Sequence, residues 1–208
     1  MMKRWVTASA LALFCSGCAG SFGTTYSTPG DNVAFLSTSG LAADWRVVGV
    51  DVEVPRSLEV SEVNSFAPNA DIVWHGDPAG DRYEQVDALM TAAIEAGATK
   101  LDGATPVQIA VRVDRFHAMT PRAVARAPGG VHNIAYTARV WSADGQEALT
   151  PPIAINADLE AYTGSEAISA INRGETQKVR ISQHLTQVTE GWLGVGPDVR
   201  REFFAWGR

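Results

Sequence analysis

Cysteine is almost missing from this chain: there are two, Cys15 and Cys18, both close to the start. A disulfide framework for the rest of the chain is thereby excluded, so the folded part must hold itself by its core. Long apolar runs are also missing. The run from Trp5 to Phe14 is too short for a bilayer core of about 30 Å, which needs roughly 20 residues. Basic charge is in short supply, with 17 Lys and Arg against 23 Asp and Glu, a formal charge of −6. Removing residues 1–17 takes away Lys3 and Arg4 and no acid, which leaves −8. Such a surface argues against nucleic acid and against polybasic docking on anionic lipid. No Gly-x-Ser-x-Gly elbow or phosphate-cradling glycine loop is present, and past residue 17 the sole thiol is Cys18. The chain is therefore read as a non-enzyme with no cofactor.

What is present begins with an export signal. Lys3 and Arg4 start it, the apolar run follows, and small residues Ser16 and Gly17 end it. Phe14-Cys15-Ser16-Gly17-Cys18 resembles the lipobox of bacterial lipoproteins, with Cys15 where the family prefers Leu. The resemblance implies that 1–17 is removed and that Cys18 carries the lipid that ties the chain to the membrane. An ordinary cleaved signal followed by a Cys15–Cys18 pair is the alternative. Cleavage before Cys18 would leave an exposed lone thiol, and acylation accounts for it. Ala19, in place of an acid, implies sorting to the outer membrane, on its periplasmic face.

Residues 18–43 are rich in Gly, Ser and Thr and read as a flexible tether of roughly 25–30 Å. Residues 44–208 read as a single α/β domain, long enough for one core. Val48, Val50, Val52 and Val54 alternate with polar residues or glycine and predict a half-buried strand. A short second strand surrounds Ile72-Val73-Trp74. Asp81 and Glu84 have capping-box spacing ahead of an apolar stripe, which predicts a helix over 82–96 closed by Gly97. Strands follow over Val107–Val113, Ile134–Trp141 and Ile153–Ala161, with a turn at Asp144-Gly145. Ile181, Leu185, Val188 and Trp192 predict a last helix over 176–193, with Gly194 in its C-terminal cap. The order strand-strand-helix-strand-strand-strand-helix predicts an α+β fold. It comprises a mostly antiparallel sheet of about five strands with two helices on one face. The other face would carry Gln108, Arg112, Thr137, Arg139, Trp141, Asp158, Glu160 and Tyr162. The tail Arg200-Arg201-Glu202-Phe203-Phe204-Ala205-Trp206, aromatic at its end, is expected to pack on the domain, with a membrane-interface anchor as the alternative.

Ser61-Glu62-Val63-Asn64, Ala70-Asp71-Ile72-Val73-Trp74 and Gly80-Asp81-Arg82-Tyr83 together resemble a family of uncharacterised Gram-negative envelope lipoproteins. Gly130-Val131-His132-Asn133-Ile134 and Gln177-Lys178-Val179-Arg180-Ile181 share that resemblance. It implies a lipoprotein domain broadly similar to accessory lipoproteins of envelope transport systems, and it carries over no activity and no site.

Two stretches remain as candidates for chemistry. His75-Gly76-Asp77, near Asp71 and Asp81, lacks the spacing of a metal site and reads as a polar loop whose acids hold turns and cap the helix. Residues 115–143 hold Arg115, Arg122, Arg126 and Arg139, with His117 and His132, and no acid. The loop over 118–131 is long for a hairpin. Arg122, Arg126, His117 and His132 are the candidate contacts to an anionic envelope partner, a protein, a glycan or a lipid head group, with internal pairing as the alternative. Three functions are in view. The first is a non-catalytic lipoprotein that binds or assists another envelope component. The second is a carrier of a small ligand or metal. The third is a hydrolase of wall or lipid, marked by a deep pocket with perturbed carboxylates or histidines.

Overall fold

The computed structural model describes residues 42–201. The signal, Cys18, the tether up to residue 41 and the aromatic tail lie outside the described residues. In chain order the elements are β1 (Trp45–Glu53), β2 (Ile72–Val73), α1 (Arg82–Ala98), β3 (Thr105–His117), α2 (Pro121–Arg126) and β4 (Gly130–Ser142). They continue as β5 (Ile153–Asn156), β6 (Leu159–Ala161), α3 (Gly164–Asn172) and α4 (Gln177–Leu193). Short 3-10 turns at Ala42–Asp44 and Val199–Arg201 bracket them.

The fold is the α+β arrangement that the periodicities predict. Its centre is the long antiparallel pair β3–β4. β1 and β2 lie end to end along the free edge of β3, and both run parallel to it. β5 and β6 lie end to end along the free edge of β4, and both run antiparallel. Three of the five pairings are thus antiparallel. The parallel β1–β3 pair follows from α1 lying between them in sequence, since a crossover helix returns the chain in the same direction.

One continuous core joins the inward side chains of β3 and β4 (Val107, Ile109, Val111, Ile134, Tyr136, Val140) to those of α1 and α4 (Met90, Ile94, Leu185, Trp192). The two long helices run side by side in the same direction. Lys178 meets Asp77 at their N-terminal ends, and Lys100 meets Glu190 at their C-terminal ends. The opposite sheet face is polar, as the alternation requires. Arg112 reaches Asp114 and Glu53, and Thr137 donates to Asp114. Arg139 lies over the Trp141 ring.

Four local features depart from the sequence reading. Val48 does not face the core. The register slips between Val47 and Gly49, so Val47 pairs with Val107 and Val48 is an extra residue, 50% exposed at a bulge. The strand over Ile153–Ala161 is broken. Asp158 accepts from Ile134 N at 3.1 Å and Asn133 Nδ2 at 2.7 Å, and this replaces a ladder bond while the chain steps from β5 to β6. Two helices were missed, the six-residue α2 inside the expected loop and the nine-residue α3. Gly97 is not a cap but lies within α1. A Cβ there would stand 2.6 Å from Thr186 O and 2.6 Å from Thr189 Cβ, so its bareness lets α4 approach. Gly194 does cap α4, at φ 76°.

Candidate functional site

The loop over 118–131 is organised from its first residues. Thr120 caps α2, its Oγ1 accepting from Ala123 N at 3.1 Å, and Pro121 supplies a preset first turn. The Thr120 hydroxyl donates to Ser65 O, and Asn64 Oδ1 accepts from Arg122 N, so α2 is stitched to the 61–70 loop. That loop is held in turn by Arg82, which is 5% exposed. Its guanidinium makes a two-bond contact with Glu62 and also donates to Gln85, Asp77 O and Pro78 O.

Across from α2 stands α3. It buries Ala167 and Ala170 and turns Ile168 and Ile171 outward, 63% and 52% exposed. Between the two helices lies a cleft of about 550 Å³. Met119, Pro121 and Val124 line one wall, and Ala167, Ile168 and Ile171 the other. One end is polar and is made by His75, Gly76, Thr176, Gln177 and Lys178. The helix α3 and this cleft went unseen in the sequence. The signal that marks them is a helical pair of isoleucines flanked by alanines, with the small residues inward and the large ones outward.

The four arginines of the acid-free stretch divide into two kinds. Arg115 donates to Asn133, and Arg139 donates to Thr150 O. Arg122 and Arg126, both exposed on α2, form no ion pair among the described residues. Arg122 lies over the Phe66 ring at 5.0 Å, and with Asn64 and Pro121 the two arginines line a shallow hollow on the outer side of α2.

The two histidines do not face each other. His117 pairs with Asn133, which puts its side chain on the sheet face opposite His132, and its Nε2 lies 2.9 Å from Pro68 O. His132 is 2% exposed and accepts a long bond from Met119 N through Nδ1. Burial, with Arg180 and His184 adding to it, lowers its pKa to about 3. His184 is lowered too, chiefly by burial. A histidine held neutral this firmly is a poor general base near pH 7. His132 borders a hollow of about 40 Å³ with Tyr162, Glu175 and Arg180, room for little more than a water.

The His75-Gly76-Asp77 loop holds structure. Asp77 takes Lys178 Nζ and Trp74 Nε1. Burial works to raise its pKa, but those two bonds outweigh it and the net shift is downward. Asp71 accepts from Glu59 N, and Asp81 caps α1 through Tyr83 N and Glu84 N. Among the described residues no three acids, histidines or cysteines gather as a metal site would need.

A family model for a family of unknown function (DUF6778) matches residues 45–207, most of the chain. The chain belongs to DUF6778. No curated protein matches it. Among solved structures it is similar to a Xanthomonas campestris protein of the DUF330 family, at 16% identity and TM-score 0.41, over 86% of this chain and 94% of that one. It is also similar to a minor lipoprotein from Acinetobacter baumannii, at 12% identity and TM-score 0.32, over 70% of this chain and 90% of that one.

Proposed function

We propose that this DUF6778 chain is a non-catalytic lipoprotein of the outer membrane. In this reading Cys18 anchors it, and its domain binds an anionic envelope component at the end remote from the anchor. The observation that carries the reading is the open apolar cleft between α2 and α3, placed where it is. The described residues begin at Ala42, and Asp44 and Trp45 just after it meet Thr105 at the start of β3, whereas the cleft opens beyond the end of β3. The strand between them has 13 residues, so the two points stand roughly 40 Å apart at about 3.3 Å per residue. Exposed isoleucines on a domain with a closed core are a mark of a contact surface. Arg122 and Arg126, on the other side of α2, have no ion pair among the described residues and would steer an anionic component to this end.

The test is photocrosslinking in whole cells from a reactive side chain placed at Ala125, in the cleft, and separately at Arg112, on the polar sheet face. A discrete adduct from Ala125 and none from Arg112 is expected. Equal adducts from both positions, or none from Ala125, would contradict the reading.

A further inference from the structure

We infer that the α2–α3 cleft holds one acyl chain of an anionic single-chain amphiphile, its headgroup at the polar end formed by His75, Gln177 and Lys178. The inference rests on the reading of this end as the binding end and names the chemistry of what binds. Size decides first between a small molecule and a protein surface. At about 550 Å³ the cleft falls within the roughly 300–1,000 Å³ of small-molecule sites. A stable protein interface covers about 800 Å² on each partner, and a trough between a six-residue and a nine-residue helix offers far less.

Lining decides the class. The long walls are aliphatic, from Met119 and Val124 to Ile168 and Ile171, and offer an alkyl chain contact along both sides. At the polar end two buried atoms on lining residues, His75 Nε2 and Gln177 Oε1, have no hydrogen-bond partner among the described residues. Buried polar groups need partners, and a headgroup that both donates and accepts, or an oxyanion met by a turned amide, supplies them. Charge decides the sign. Among the described residues no Asp or Glu lines the cleft, although the chain is acidic at −6. Its one cation is Lys178, whose ammonium also meets Asp77. The Asp77 carboxylate beside it is already taken by Lys178 and Trp74, so an ammonium headgroup would have to displace one of them, whereas a carboxylate or phosphate finds the Lys178 ammonium and an N–H donor.

The experiment uses the full-length lipidated chain in nanodiscs of zwitterionic phospholipid. Two photoactivatable probes share one alkyl chain, and one ends in a carboxylate while the other ends in an amine. Labelled peptides are mapped by mass spectrometry. The carboxylate probe is expected to label peptides covering 119–126 and 164–171, unlabelled laurate is expected to compete, and the amine probe should label about tenfold less. Ile168→Glu, at a position exposed enough to leave the fold intact, should remove the labelling while the melting curve stays in place. Equal labelling by both probes, or labels scattered outside these peptides, would overturn the inference. The proposed binding end stands independently if the Ala125 crosslink persists while the cleft takes no probe. It falls with the inference if both are missing.

Discussion

Gly97→Ala isolates the contact that sets the spacing of the two long helices. In a solvent-exposed helix this change would stabilise by about 1 kcal/mol, because alanine is the better helix former. Here the new methyl would stand 2.6 Å from Thr186 O and 2.6 Å from Thr189 Cβ. The first is backbone and cannot rotate away. Nearby, Thr186 Oγ1 donates to Ala93 O across the same interface, so the helices cannot part without straining that bond. Overpacking costs about 1–3 kcal/mol, and a 2.6 Å approach to a backbone oxygen belongs in the upper half of that range, about 2–3 kcal/mol, so it outweighs the propensity gain for a net loss of roughly 1–2 kcal/mol. For a domain of this length each kcal/mol moves the melting temperature by about 2–4 °C, so a fall of roughly 2–8 °C is expected. Thermal unfolding of the full chain followed by far-ultraviolet circular dichroism reads it. An unchanged or raised melting temperature would refute the reasoning and return Gly97 to the role of a helix end.

Other perturbations have equally definite outcomes. Arg82→Ala leaves Glu62, Gln85 Oε1 and Asp77 O without their Arg82 donor, while Pro78 O keeps Gln85 Nε2, so a loss on the order of 2 kcal/mol in urea unfolding is expected; Glu62→Gln should cost less, since Glu62 is exposed. His132 has a folded pKa of about 3 against an ordinary 6.5, so the unfolded chain takes up the proton first. Its stabilising effect is whole above pH 6.5 and is lost as pH falls toward 3, at up to about 1.4 kcal/mol per pH unit. His132→Phe should flatten the stability profile between pH 6.5 and 5, with a remainder from His184, which is shifted in the same direction; an unaltered slope would contradict this. Asp81→Ala removes the cap of α1 and its ion pair with Arg56 and should cost about 1 kcal/mol.

Much of this fold is legible in the sequence because apolar residues repeat with the right period over long spans. The alternation Val107, Ile109, Val111, Val113 and the stripe Ile181, Leu185, Val188, Trp192 place β3 and α4 without ambiguity. Asp81 before Glu84 marks the start of α1, and its carboxylate takes the two amides that the spacing requires. What escapes is decided by tertiary contact. Nothing local tells that Val48 is the extra residue of a bulge, because that is fixed by its slip against Val107 and Gln108. Gly97 has the look of a helix end and serves instead as a gap for a helix many residues away. The candidate site is the least legible part. Arg122 and Arg126 stand out by charge, but six residues of α2 carry no periodicity, and Ile168 and Ile171 pattern like core residues while facing outward. His132 stands out equally in sequence, yet it is enclosed, and only the packing of β4, β6 and α4 shows it.

The central claim, that the end bearing α2 and α3 binds an anionic envelope component, is tested most directly by Arg122→Ala combined with Arg126→Ala. Neither guanidinium is ion-paired among the described residues, so stability should stay within about 0.5 kcal/mol of the parent. Whole-cell crosslinking from Ala125 should meanwhile weaken several-fold, and capture by the unsubstituted chain should weaken as salt is raised. Unchanged stability together with unchanged crosslinking would contradict the account, and so would a fall in melting temperature that alone explains the lost capture.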